Sequence, residues 1–158
     1  MKITKRSWKE KLQDVKDFPR IAPIPEKIRH KWGKGNLVIP SPLEVNALME
    51  QIPPGKLTTI GCIREFLARS HGVEMACPLT TGIFVRIAAE AAMESEKEGH
   101  AETTPWWRTL QTDGSLHPKF HGAIETQMLR LEKEGHTILS SKYSMFIQGC
   151  EKKLHHFH

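Results

Sequence analysis

Along the first forty residues apolar positions come singly or in short clusters between Lys, Arg and Pro, as in FPRIAPIPEKIRHKWGKGNLVIP (18–40). No helical or strand period builds up there. Such a stretch predicts an extended leader pinned to a domain by aromatic anchors, Trp8 and Trp32, with a short helix near Ser7 to Val15. Regular patterns begin at residue 41. Val45, Leu48, Met49 and Ile52 recur at i, i+3, i+4 and i+7, with Ser41 to cap, Pro42 in the first turn and Pro53-Pro54-Gly55 to stop the helix. In KLTTIGCIREFLARSHG (56–72), Thr58 or Thr59 can cap a second helix that turns Ile63, Phe66 and Leu67 inward and ends at Gly72. A third and longest helix starts at Pro78 with Ile83, Phe84, Ile87, Ala88 and Ala91 on one face, then becomes strongly polar and ends near Gly99.

TPWWRTL (104–110) and QTDGSLHPKFHG (111–122) read as short extended pieces around an Asp-Gly turn. A fourth helix is expected from Ala123 to Glu134, with Ile124, Met128 and Leu131 inward and Gly135 as its stop. HTILSSKYSMFIQG (136–149) holds two β-prone runs around Ser-Ser-Lys, a hairpin or wing. No internal repeat is visible. The pattern predicts a mainly α protein in three parts: an extended leader (1–40), a winged helix-turn-helix-like domain (41–138), and a small C-terminal hairpin with a tail (139–158).

Composition narrows the function classes. A chain of 158 residues with 39% hydrophobic content can bury a core without disulfides or metals. No apolar run approaches the roughly 18 residues of a membrane span, and MKITKRSWKEKL lacks an apolar signal core, so a cytoplasmic protein without a membrane partner is expected. Cys62, Cys77 and Cys150 are odd in number and widely spaced, which argues against a disulfide framework and against zinc. No metal or cofactor is expected. The tail KKLHHFH matches no metal-ligand spacing and reads as a frayed terminus. The net charge is +5, but residues 1–34 hold 11 Lys/Arg against 4 Asp/Glu, so the basic character is N-terminal. A basic arm is either a phosphate-binding footprint or a solvated leader, and charge alone leaves both open.

Candidate chemistry centres on Trp106 and Trp107, two of the four tryptophans. An adjacent pair behind a proline is either a core plug or the wall of a pocket. Arg108 beside them suits a ring or a phosphate, and equally the buried end of a helix. Thr80 and Thr81, at the start of the third helix, either cap it or offer N–H groups and hydroxyls to a phosphate. Cys77 precedes the same helix start, a position that lowers a thiol pKa. The default there is a buried or capping cysteine.

From Gln51 to Ile138 the segments IPPGKLTTIGCI, PLTTGIFVRIAAEAA, TPWWR, TDGSL, HGA and LEKEGHTI stand in an order that resembles the C-terminal domain of the alkylguanine-DNA alkyltransferases and the related alkyltransferase-like proteins. The resemblance implies a winged helix-turn-helix that places its second helix in the minor groove of double-stranded DNA and turns an alkylated guanine into a pocket. In that family a Pro-Cys-His-Arg motif supplies the accepting thiolate. Pro105 and Arg108 match it, whereas Trp106 replaces the cysteine and Trp107 the histidine. Indole supplies neither nucleophile nor base, so the resemblance implies a non-catalytic protein with no catalytic residue. Trp at the cysteine position is frequent in the alkyltransferase-like proteins. Glu134 matches the acid that orients the histidine. The family's flipping tyrosine maps to Ile60, and the arginine that fills the vacated stack maps to Gly82.

The implied base pocket is Pro105, Trp106, Trp107, Arg108, Phe120 and Gly122. The implied DNA contacts are Lys56, Thr58, Thr59, Ile60, Arg64, Thr80, Thr81, Gly82 and Arg86. Two alternatives stay open. Ile60, Gly82 and the acidic continuation at Glu94, Glu96 and Glu98 suit a retained fold that binds a protein partner or a small ligand. A relocated acceptor thiol at Cys77 or Cys62 would instead preserve the transfer chemistry.

Overall fold

The computed structural model describes residues 6–116 and 124–158. Phe120 and Gly122 therefore lie outside the described residues. The four helices expected after residue 40 are present. In α3 (Pro42–Glu50) the Ser41 hydroxyl accepts from the Glu44 amide while the Glu44 carboxylate accepts from the Ser41 amide, a reciprocal cap. In α4 (Ile60–His71) the Thr59 hydroxyl accepts from the Cys62 amide at 3.0 Å. Gly72 closes this helix at φ +65°, a left-handed turn that glycine adopts without a Cβ clash. α5 (Pro78–Lys97) starts on Pro78, and α6 (Ile124–Lys133) stops before Gly135.

The inward face of α5 holds Phe84, Ala88 and Ala91 as expected, with Ile87 partly buried against the core, but Ile83 is 55% exposed and the buried stripe widens to Thr81, Val85, Ala89, Glu90 and Ala92. The alanines let α5 approach α3 closely, which rotates the packed face away from Ile83. Val45, Met49, Ile63, Leu67, Val85, Ala88 and Trp106 meet there in the main core.

The leader is also more structured than its composition suggests. Trp8–Leu12 forms a short α1, capped by Ser7, that lies on α5. β1 (Arg20–Pro23) and β2 (Asn36–Ile39) form an antiparallel pair, with α2 (Arg29–Trp32) between them. β2 also pairs in parallel with β4 (Met75–Ala76), between α4 and α5, in register Val38 to Ala76. Leu37 and Val38 are buried, so residues 36–39 form an internal strand. Trp32 anchors this layer against Ile24, Leu37 and Cys77.

β3 (Thr58–Thr59) and β5 (Thr109–Leu110) pair in parallel, bringing the stretch after Trp107 beside the entry to α4. The expected hairpin is β6 (Ile138–Ser140) with β7 (Met145–Ile147), and it covers a second core of Leu57, Leu110, Leu116, Leu131 and Ile147. The C-terminal tail, expected to fray, is docked. Phe157 is 9% exposed and joins the main core, because its ring finds Phe66 on α4. No helix among the described residues is long and apolar enough to cross a membrane.

Candidate functional site

Pro105 leads into a single 3-10 turn, Trp106–Arg108, that sends its three side chains different ways. Trp106 is fully buried and belongs to the main core. Its indole N–H donates to Glu96 Oε1 at 3.3 Å, which satisfies the one polar atom that burial would otherwise strand. Trp107 is half-buried, meets Trp106 edge to face at 6.0 Å, and donates its N–H to Glu134 Oε1 at 3.1 Å. Arg108 forks onto both oxygens of Glu134 and donates through Nη1 to the carbonyl of Ile52 at 2.8 Å. Ile52 lies just past the end of α3, so Arg108 closes that helix end.

Arg130 of α6 completes the cluster. It grips Glu96 with two parallel bonds of 2.7 and 2.9 Å, and its guanidinium lies 5.4 Å from the Trp106 ring centre and 4.8 Å from that of Trp107. Two carboxylates, two guanidiniums and two indoles thus tie α3, α5, the 3-10 turn and α6 together.

Burial pulls the Glu96 carboxyl upward, but the bonds and charge of Arg130, with Trp106 and Thr103, outweigh it and hold the group below its ordinary value. Glu134 follows the same pattern: burial raises it, and the bonds from Arg108 and Trp107, the Arg108 charge and the Gly55 amide more than reverse this. Both stay ionised at neutral pH and serve as anchors rather than proton donors. His136 is buried, and its imidazole is held below the usual range by that burial, then by the Lys153 charge. Glu134 thus accepts both the Trp107 indole N–H and the Arg108 guanidinium.

An open cleft of about 570 Å³ runs beside this network, lined by Pro53, Pro54, Pro105, Trp107, Arg108 and Arg130 among others. Trp106 does not line it. A separate cleft of about 360 Å³ opens between the starts of α4 and α5, bordered by Ile60, Arg64, Pro78, Gly82 and the Gln111–Asp113 turn. It brings together three of the residues assigned to DNA contact. The others are scattered. Lys56 is exposed, whereas Thr58 and Thr59 are buried and Thr59 is spent on the α4 cap.

Thr81 is buried, and its hydroxyl donates back to the Cys77 carbonyl at 2.7 Å. Thr80 is half-buried. Neither threonine caps α5, because Cys77 occupies the cap position and makes no side-chain bond there. The Arg86 guanidinium lies 5.7 Å from the Trp8 ring centre, so the leader contacts the base expected on this helix, whose side chain stays 42% exposed. Cys77 is 8% exposed, and burial pushes the Cys150 thiol up, away from thiolate character. The burial of Trp106 is the core-plug alternative, and what sequence reasoning missed is the docking of the tail. The only signal for the latter was the apolar pair Leu154 and Phe157 in an otherwise cationic stretch. Among the described residues, no group of three or more His, Cys, Asp or Glu side chains is arranged to hold a metal ion.

No protein-family model matches the chain, and no curated protein matches it. Two solved structures are similar to it. S. pombe Atl1 in complex with damaged DNA containing O6-carboxymethylguanine is 24% identical, with a TM-score of 0.48. S. pombe ATL in complex with DNA is 22% identical, with a TM-score of 0.46. Each comparison covers 72% of this chain and 93% of that chain.

Proposed function

We propose that the protein is a non-catalytic DNA-binding protein of the alkyltransferase-like kind, with double-stranded DNA as its partner and a role in recognising alkylated guanine for repair. In this reading α4 and α5 are the helix-turn-helix pair, the β6–β7 hairpin is the wing, and DNA meets the cleft at Ile60, Arg64 and Gly82. The observation that carries it is that cleft, since residues from two separate motifs border one opening. The absence of reaction follows from TPWWR, which holds no thiol and whose one hydroxyl, on Thr104, donates to the Asn46 side chain at 2.8 Å. Trp106 is a core filler, and Trp107 lines a separate cleft with Arg108 and Arg130 against its ring.

Titrating short duplexes with and without O6-alkylguanine at about 50 mM salt, followed by Trp fluorescence, tests the proposal. Binding of both with tighter binding of the alkylated duplex is expected. Equal affinities would remove damage recognition, and no binding of either would remove the DNA reading. A second reading is favoured by the Trp107 cleft, which lies among Pro53, Pro54, Arg108 and Arg130 rather than beside Ile60 and Gly82. There the fold serves a protein or small-ligand partner, and Trp107→Ala would abolish that binding without changing DNA affinity.

A further inference from the structure

The segment KKLHHFH is built into the fold. The Leu57 amide donates to the Lys153 carbonyl at 2.9 Å and the His155 amide donates to the Leu57 carbonyl at 2.8 Å, so the tail runs in parallel beside the entry to β3. Phe157 fixes it further down, with its ring 5.4 Å from Phe66 and 5.1 Å from His155. These anchors determine what remains outside. Lys152, His156 and His158 are exposed, His155 is half-buried, and Lys56 stands exposed next to Leu57. Burial holds the His155 imidazole below its usual range, and His158, His156 and Lys56 depress it further by their proximity. Glu151 is the acidic residue of the segment, on the 3-10 turn Cys150–Lys152.

We propose that Lys56, Lys152, His155, His156 and His158 form a platform for the phosphate backbone of duplex DNA. The inference rests on the DNA-binding reading above and says where its charge comes from. α5 supplies little of it: Arg86 is shared with the Trp8 ring at 5.7 Å and the Glu90 carboxylate at 4.0 Å, and the helix continues into Glu94, Glu96 and Glu98. A helix so poor in free cations neutralises few phosphates. The platform, by contrast, gathers two exposed lysines and three imidazoles against the single carboxylate side chain of Glu151. It also lies at the right end of the fold, because Lys56 is followed by β3 and then by Ile60, the first residue of α4 and a wall of the cleft. Backbone contacts of this kind position a duplex while the cleft meets the bases.

Fluorescence anisotropy of a labelled unmodified duplex, measured over about 50 to 200 mM salt, tests the platform through the slope of log affinity against log salt. The double variant Lys56→Gln/Lys152→Gln removes two exposed charges, and its slope is expected to fall by about 1.8, with weaker binding at low salt. Lys97→Gln/Lys133→Gln removes the same charge from exposed ends of α5 and α6 and should leave the slope nearly unchanged. If the wild type binds and both pairs lower the slope equally, or the first pair leaves it unchanged, the platform is overturned while DNA binding stands. If the wild type binds no duplex at about 50 mM salt, the DNA-binding reading fails and the platform fails with it.

Discussion

The Glu134 carboxylate holds an indole and a guanidinium at once. Its ion pair with Arg108 is largely shielded, the side chains being 14% and 11% exposed. Glu134→Gln keeps an acceptor for Trp107 but leaves the Arg108 charge uncompensated, which should cost about 3 kcal/mol of stability. The pH dependence has a definite sign. The folded-state carboxyl lies below its ordinary value of 4.5, so its contribution is complete above that value and is lost as pH falls through the folded one. Thermal melts of the two proteins should therefore differ fully at neutral pH, with the difference shrinking as pH is lowered through the acid range below 4.5. A gap of equal size at neutral pH and throughout that acid range would mean that the carboxylate charge is not what the cluster uses.

α5 was legible as a helix from its starting proline and its apolar period, yet its working face depends on what packs behind it. Gly82 sits near its start with no atom within 4 Å of where a Cβ would stand. Gly82→Arg should therefore raise helix stability by roughly 0.5–1 kcal/mol, since glycine is a poor helix former. It would also place a cation in the Ile60–Arg64 cleft. A higher melting temperature together with tighter duplex binding is expected, measured by calorimetry and anisotropy. A rise in melting temperature with unchanged binding would argue that DNA does not enter this cleft. The elements that sequence reading found share strong local signals: the Ser41 box on α3, the Thr59 cap and Gly72 stop of α4, and the β6–β7 hairpin. The β1–β2–β4 sheet was missed because strands of two to four residues are too short to establish a period, and two of them lie in the Pro- and Lys-rich leader. Trp106 as plug and Trp107 as cleft wall could not be separated either, since adjacent identical residues differ only in which way the 3-10 turn points them.

Across the whole molecule the two ends of the chain are tied to the same pair of helices. The carboxylate of Glu94 on α5 accepts from the amides of Trp8 and Lys9, which holds the start of α1. At the other end Phe157 packs on Phe66 of α4 and shares a core with Val45, Leu67 and Trp106. Stability that depends on a tail is local in sequence but global in effect, because the tail closes the main core over α4 and pairs with Leu57, a residue of the second core. Phe157→Ala should thus behave as a core truncation, costing about 3 kcal/mol. For a chain of this size that corresponds to a fall in melting temperature of roughly 6–12 °C. The amides of Leu57 and His155 should lose hydrogen-exchange protection together, since each donates across the same bridge. A melting temperature within about 2 °C of wild type, with both amides still protected, would show that the tail rests on the surface without closing the core.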